Sequence, residues 1–291
     1  MKPWLLALHP MAIIHLMSYK RPLQLAIEDK DKKEVEVLLK AGIDPNQYES
    51  GSVSLDYSVV SDAYECTVLL LKYGANPDLI VKNNDRQEKI IQPCIQRKNN
   101  SAIVLLAMYG ATSKGVQFPE DCEEQKALLI NSMQKKAMYD QLLLQAKLNE
   151  KNQPHNYQAI LSSYQAAGDI WYQLSLVERN GVYQKHYQEK ALELYELAAA
   201  CYKKLATHPS EPAYFELFSR MADLYHSQGH KTKQLEYAKL AAQNAAVSNT
   251  AYPLPHLFPV DQAKSASLRQ RKTAAHAEQQ ALLEANKSFR I

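Results

Sequence analysis

The sequence predicts an all-α protein built from repeated helical hairpins, and three observations support this prediction. Only 8 of the 291 residues are glycine, and alanine, leucine, glutamine, lysine and glutamate, which form helices readily, dominate. A 19-residue spacing recurs three times before residue 115, and longer amphipathic segments follow it. The 46% apolar and 22% charged fractions are typical of a folded chain long enough for two domains.

The first 17 residues are predicted to form an N-terminal cap. Residues 4–17 are mostly apolar, but His9, Pro10 and His15 interrupt them. The stretch is too short to span a bilayer, and no small-residue cleavage site follows it. A signal peptide or anchor is the alternative interpretation. We therefore expect a cytoplasmic protein without stable membrane insertion.

Residues 18–115 contain three degenerate units, which align as Leu23–Gly42, Leu55–Gly74 and Ile91–Gly110. A pair of apolar residues precedes each glycine by four and three positions. Each glycine is predicted to take a left-handed backbone that ends a second short helix. In the first two units the Pro-Asn or Pro-Asp that follows makes the outgoing turn. Because neither helix is long enough to be stable alone, neighbouring units must stack.

These units, with their "VEVLLKAGIDPN" and "LLLKYGANPD" segments, resemble ankyrin repeats. The usual Thr-Pro-Leu-His motif is degraded: Arg21–Gln24 keeps the proline and leucine, Val53–Asp56 keeps only the leucine, and the third unit keeps neither. The loop at residues 79–90 is also longer than usual. The resemblance implies partner-binding residues on the hairpin tips and first-helix surface, namely Tyr48, Asp56, Asp62, Tyr64, Lys82, Asn84 and Arg86.

Residues 116–250 are predicted to form a second helical domain. The acidic segment Pro119–Glu124 suits a helix N-terminus, and this helix should continue to about residue 150 before Pro154 interrupts it. Two amphipathic helices then begin near Tyr157 and Tyr187. Small residues at Gly168, Ala198 and Ala222 should let neighbouring helices approach closely, while tyrosines fill the flanks.

The segment "MADLYHSQGHKTKQLEYAKLAAQNA", residues 221–245, resembles a tetratricopeptide repeat. The small, aromatic and turn positions of that family are matched to within one place by Ala222, Tyr225, Gly229, Tyr237 and Ala241. An earlier unit around Gly168 and Tyr195 is similar, but its inter-helix connection is about eleven residues too long. The register of the resemblance implies a concave, partner-facing set comprising Gln165, Asp169, Tyr172, Glu216, Asp223 and His226.

Residues 251–291 are predicted to be an extended arm followed by a basic helix. Three prolines in residues 252–259 exclude a helix there. The net charge is +3; residues 20–115 carry 13 basic and 13 acidic side chains, whereas residues 260–291 carry 6 basic and 3 acidic. This small excess favours a solvated tail and does not predict a nucleic-acid partner.

The sequence predicts no catalytic residue, metal ligand or cofactor site. His226 and His230 have the spacing of a helical metal pair, but Gly229 places a turn between them and no glutamate follows His226. Cys66 could act as a thiol nucleophile, but its position in the repeat is one that packs in the core. With Cys94, Cys122 and Cys201 it is expected to be a reduced core thiol.

The leading functional interpretation is a protein-binding adaptor. The degenerate repeats, the Gln/Asn/Lys-rich composition and the pairing of two repeat types resemble ankyrin-repeat effectors that intracellular bacteria such as Legionella or Coxiella deliver into host cells. That resemblance implies eukaryotic protein partners and secretion into the host cytoplasm, and the C-terminal residues are compatible with a type IV secretion signal. The alternative is an enzyme, a cysteine hydrolase or transferase in residues 116–250, whose ankyrin half selects the substrate.

Overall fold

A computed structural model describes residues 22–49, 52–83, 86–205 and 212–247, and this part of the chain is mostly helical, as predicted. Two units form, and the boundary between them lies between Met133 and Gln134. The cap predicted for residues 1–17, and the arm and helix predicted for residues 251–291, lie outside the described residues. Within those residues, no helix is both long enough and apolar enough to cross a membrane.

The described part of the first unit contains three pairs of short helices, and a β-hairpin precedes the second and the third pair. The elements are α1 (Pro22–Glu28), α2 (Lys32–Lys40), β1 (Tyr48–Glu49), β2 (Ser52–Val53), α3 (Ser54–Val60), α4 (Tyr64–Lys72), β3 (Ile80–Asn83), β4 (Arg86–Lys89), α5 (Ile91–Gln96) and α6 (Asn100–Met108). Both hairpins are antiparallel. The long loop predicted at residues 79–90 therefore contains the longer of the two hairpins.

Left-handed backbone marks the same two places in every helix pair. Gly42, Gly74 and Gly110 follow the second helices with φ of +92°, +91° and +110°, which confirms the predicted helix ends. The turn between the two helices also has positive φ, at Lys30, Asp62 and Lys98 (55°, 54° and 54°). Both sets are offset by 32 and then 36 residues, so the three pairs repeat one backbone path.

The turns that follow these glycines bind successive helix pairs together. Asn46 Nδ2 donates to the Gly74 carbonyl at 3.2 Å, and Asn46 Oδ1 accepts from the Asn76 amide at 2.7 Å. One pair later, Asp78 Oδ1 accepts from the Thr112 amide at 2.9 Å and from Lys89 Nζ at 2.6 Å. The Pro-Asn and Pro-Asp turns seen in the sequence therefore also carry the polar contacts between repeats.

The boundary between the two units lies within a helix, later than residue 115. A 3₁₀ turn (Glu120–Cys122) leads into the 30-residue helix α7 (Glu123–Asn152). Cys122 Sγ contacts the Ile95 carbonyl at 3.6 Å, and Gln125 Nε2 donates to Asn100 Oδ1 at 3.0 Å. These contacts attach the start of α7 to the third helix pair of the first unit.

Up to residue 247, the described residues of the second unit form the rest of α7 and four more helices: α8 (Tyr157–Val177), α9 (Gly181–Tyr202), α10 (Pro212–Ser227) and α11 (Lys231–Val247). Helices α8 and α9 pack against each other, as do α10 and α11. The expectation of an overlong connection between α8 and α9 is wrong, because only residues 178–180 separate them. The additional residues extend the helices, since Asn180 Oδ1 accepts from the Val182 and Tyr183 amides and caps α9 at that point.

Tyrosines and one glycine determine the packing in this unit. All the tyrosines from Tyr164 to Tyr237 are buried, including Tyr172, for which the sequence predicted a partner-facing position. A Cβ atom on Gly168 would lie 2.6 Å from Tyr195 Cε1 and 3.3 Å from the Ala191 carbonyl oxygen. Gly168 therefore permits the close approach of α8 and α9 that the sequence predicted. Beyond the α10 helix, Gly229 makes the predicted turn with φ +78°.

Candidate partner-binding surfaces

Three of the residues predicted to face a partner converge on one arginine in the second unit. Arg220 on α10 forms an ion pair with Asp169 on α8, and its Nη2 donates to Glu216 Oε2 at 2.9 Å. The Arg220 guanidinium carbon lies 5.6 Å from the centroid of the Tyr172 ring. We call Asp169, Tyr172, Tyr195, Glu216 and Arg220 the Arg220 cluster.

Helix geometry and close packing position the Arg220 cluster. Glu216 and Arg220 are four residues apart on α10, so their side chains share a face. Tyr195 reaches Asp169 from α9, and its hydroxyl donates to Asp169 Oδ1 at 2.6 Å. This contact depends on the small residue Gly168 beside the Tyr195 ring. The cluster therefore joins α8, α9 and α10 through one shared carboxylate.

The Arg220 cluster combines a protonated, buried tyrosine with carboxylates on partly exposed side chains. Burial raises the pKa of the Tyr195 hydroxyl well above its usual value, and the adjacent Asp169 carboxylate raises it further, so the hydroxyl stays protonated. The side chains of Asp169 and Glu216 are 34% and 55% exposed, whereas that of Arg220 is 19% exposed. The carboxylates can thus accept hydrogen bonds from a partner's amides or cationic side chains.

The other residues of this predicted set have different surroundings. Tyr172 is only 5% exposed, because its ring packs beside Tyr195 at a centroid distance of 6.4 Å. It supports the cluster and presents little surface to a partner. Gln165 and Asp223 are half-buried on α8 and α10. His226 is exposed at the end of α10, where its Nδ1 lies 2.9 Å from Gln234 Oε1.

A second cluster repeats the tyrosine–carboxylate–cation arrangement one helix later. The Tyr225 hydroxyl on α10 donates to Glu196 on α9. Lys233 on α11 contacts both, with Nζ 3.0 Å from Glu196 Oε1 and 2.9 Å from the Tyr225 hydroxyl. Burial raises the pKa of Tyr225 to about 12, and the hydrogen bond with Glu196 adds to this shift. Sequence periodicity did not predict this cluster.

The residues predicted in the first unit form two groups. On the hairpin side, Tyr48 is 49% exposed and its hydroxyl accepts from the Lys82 amide at 3.3 Å, so successive hairpins touch. Asp56 lies on α3 just after the first hairpin, where Ser52 Oγ donates to its Oδ2 at 2.8 Å. Partial burial raises the pKa of Asp56, and the hydrogen bond from Ser52 opposes the shift.

The second group lies at the turn between α3 and α4. Asp62 occupies the left-handed position of this turn and is exposed, and the half-buried Tyr64 begins α4. Of the remaining predicted residues, Arg86 pairs with Asn83 in the backbone register of the second hairpin. Asn84 lies outside the described residues.

The four cysteines are free and buried, as expected for core thiols. Burial raises the pKa of Cys66 to about 11 and that of Cys94 to about 12, so both thiols are protonated at neutral pH. A nucleophilic cysteine requires the opposite shift, towards the thiolate.

Within the described ranges, no three histidine, cysteine, aspartate or glutamate side chains come together as a metal site. Comparisons of the chain with protein-family models, with curated proteins and with solved structures found no match.

Proposed function

We propose that the chain is a non-enzymatic adaptor that binds protein partners through two helical-repeat surfaces. In this proposal the first unit is a degenerate ankyrin array and the second a tetratricopeptide-like array. Its partners are eukaryotic proteins, as for the effectors of intracellular bacteria that the sequence resembles. Binding at two surfaces on one chain would raise avidity without any new contact.

The observation that carries the proposal is the convergence of Asp169, Tyr172 and Glu216 on Arg220. The tetratricopeptide-like register implied that these three residues face a partner. The partly exposed carboxylates of Asp169 and Glu216 form a polar surface, and the buried Tyr172 ring supports it from below. Fixed carboxylates with exposed oxygens are suited to hydrogen-bond recognition of a peptide.

A second support comes from the hairpins of the first unit. Tyr48 combines a half-exposed ring with a hydroxyl already oriented by the Lys82 amide. An ordered aromatic side chain loses little conformational entropy on binding, and aromatic residues are enriched among those that dominate interface energies.

Paired surface variants of the full-length protein test the proposal. Wild-type and variant proteins are used as bait in a eukaryotic lysate and, in parallel, in a bacterial lysate, and captured proteins are quantified by mass spectrometry. Tyr48→Ala is compared with Tyr73→Ala, a 36% exposed tyrosine at the end of α4. Glu216→Ala is compared with Glu193→Ala, whose side chain is 59% exposed on α9 and pairs with Lys190.

We expect a specific eukaryotic partner whose recovery falls with Tyr48→Ala or Glu216→Ala and is unchanged by the two controls. A hot-spot residue typically contributes about 1–3 kcal/mol, which corresponds to a loss of affinity of roughly five- to 150-fold. Cys66→Ser should leave recovery intact. A folded Cys66→Ser protein that loses all cellular activity while the surface variants retain it would favour the thiol enzyme instead.

A further inference from the structure

Helix α7 carries apolar side chains on two opposite sides between Gln134 and Asn152. At 3.6 residues per turn, Tyr139, Leu143, Ala146 and Glu150 share one side. This side packs on α8: the Tyr139 ring lies 5.6 Å from the Trp171 ring, Ala146 is 0% exposed, and the Tyr164 hydroxyl donates to Glu150 Oε1 at 2.8 Å. This side of α7 therefore packs against α8 within the second unit.

The opposite side of α7 carries the second apolar line, which we call the outer stripe and define as Ala137, Gln141, Leu144 and Leu148. Leu144 is 57% exposed and Leu148 is 47% exposed, and Gln141 is also exposed. The spacings of four, three and four residues are those of alternating d and a positions in a coiled-coil seam. The helix therefore presents to solvent a pattern that normally packs on another helix.

An outer helix of a folded unit usually carries polar residues on the side away from the core. Leu144 and Leu148, two exposed leucines one turn apart, depart from this rule. Neighbouring exposed apolar side chains on one helix face are typical of an interaction surface.

We propose that the outer stripe is the contact surface for a second copy of this chain, which packs its own α7 antiparallel to the first. The stripe is complementary to itself in that orientation. Gln141 lies opposite Leu144 of the second copy, and Ala137 lies opposite Leu148, so each leucine meets a smaller or more flexible residue. The two-fold axis makes each of these pairs occur twice.

Charge complementarity supports the same orientation. Asp140 and Lys147 flank the outer stripe at equivalent g positions, and g positions face each other in an antiparallel helix pair. Asp140 of one copy therefore meets Lys147 of the other at both ends of the contact. The Asp140 side chain is 55% exposed although it also pairs with Lys136 at 2.5 Å, and Lys147 is exposed. A parallel pair would lack this match, because g positions there face e positions, occupied by Met138 and Gln145.

The contact is short, because the twelve residues from Ala137 to Leu148 span about 18 Å at 1.5 Å per residue. This length places the interface in the small, transient class. The expected assembly is a dimer that dissociates on dilution. It is independent of the adaptor proposal, since α7 contributes no side chain to the Arg220 cluster.

Sedimentation equilibrium of the full-length protein over a wide range of concentrations tests this inference. The wild type should show a reversible monomer–dimer equilibrium. Leu144→Glu should weaken the dimer at least about tenfold, because it places a charge in an apolar seam. Leu197→Glu is the matched control, since Leu197 is a 46% exposed leucine on α9, and it should leave the dissociation constant unchanged.

Charge exchange tests the orientation. Asp140→Lys and Lys147→Asp should each weaken the dimer, because like charges then meet twice, and the double variant should restore it. Circular dichroism verifies the fold of every variant, and Leu144→Gln provides a milder change with the same expected direction. A wild type that is monomeric at all concentrations would overturn the inference. So would a dimer insensitive to Leu144→Glu and Leu144→Gln, or one that the double exchange fails to restore.

Discussion

Replacing Gly168 by alanine should destabilise the second unit, although the same change in most helices is stabilising. In an ordinary helix interior, alanine is favoured over glycine by about 1 kcal/mol. Here the added methyl would lie 2.6 Å from Tyr195 Cε1 and 2.7 Å from Cδ1, well inside van der Waals contact. The Tyr195 ring is 0% exposed and its hydroxyl is bound to Asp169, so the ring cannot move outward without losing that hydrogen bond.

The magnitude follows from the two consequences of this clash. Overpacking a core typically costs about 1–3 kcal/mol. If the ring shifts, the hydrogen bond to the charged Asp169 is also lost, at about 1.5–3 kcal/mol. With both costs, and after the helix-propensity gain of about 1 kcal/mol is subtracted, we expect Gly168→Ala to reduce the free energy of unfolding of the second unit by roughly 1.5–5 kcal/mol.

Gly181→Ala is the matched control, because no heavy atom lies within 4 Å of its Cβ position and it is the first residue of α9. It should stabilise the unit by about 0.4–1 kcal/mol, since alanine restricts the unfolded chain more than glycine does.

Urea unfolding followed by tryptophan fluorescence measures both effects. In a Trp4→Phe background the reporter is Trp171, which is 2% exposed in the second unit. Equal stabilisation by Gly168→Ala and Gly181→Ala would refute the close approach of α8 and α9.

Three further predictions concern the first unit, and each is measured by urea unfolding. Leu39→Asp should unfold the whole unit cooperatively, because Leu39 is 4% exposed and its replacement buries an unpaired charge; melting like wild type would contradict the repeat register. Gly74→Val should lower the free energy of unfolding of the first unit by more than about 1 kcal/mol, because a β-branched side chain resists φ of +91° even though the space around Gly74 is open. Asp78→Asn should cost about 1–3 kcal/mol at pH 7, because it weakens the bonds to Lys89 and Thr112. Partial burial acts to raise the pKa of Asp78, but these bonds outweigh it and lower the pKa, so the stabilisation is complete above about pH 4 and disappears as the pH falls further. A difference between wild type and Asp78→Asn that persists unchanged at pH 2.5 would contradict this assignment.

The sequence predicted the features that local chemistry determines. Gly42, Gly74 and Gly110 end helices because only glycine takes a left-handed backbone at little cost. The matching turns at Lys30, Asp62 and Lys98 were not predicted, since no glycine marks them. There the ends of two short helices impose the positive φ on ordinary residues.

The sequence predicted the Arg220 cluster only in part, for a related reason. The register of the tetratricopeptide resemblance placed Asp169 and Glu216 on faces of their own helices, which requires only positions within one segment. It could not assign Arg220 or Tyr195 as their partners, because that pairing depends on how α8, α9 and α10 rotate against one another. The spacing of Glu216 and Arg220 by four residues was the one available local signal.

In the second unit, the apolar pattern does not determine how the helices are positioned and rotated against one another, and the two tyrosine clusters do. Apolar faces tolerate some sliding and rotation, since many arrangements bury similar area. The hydrogen bonds of Tyr195 and Tyr225 do not tolerate such movement, because each buried tyrosine donates to a carboxylate on a neighbouring helix. A helix shifted by one turn would leave a buried hydroxyl without its acceptor, at a cost of about 1–3 kcal/mol. The bond between Tyr195 and Asp169 thus also orients the partly exposed Asp169 carboxylate, so the packing of the core determines the geometry of the surface proposed to bind a partner.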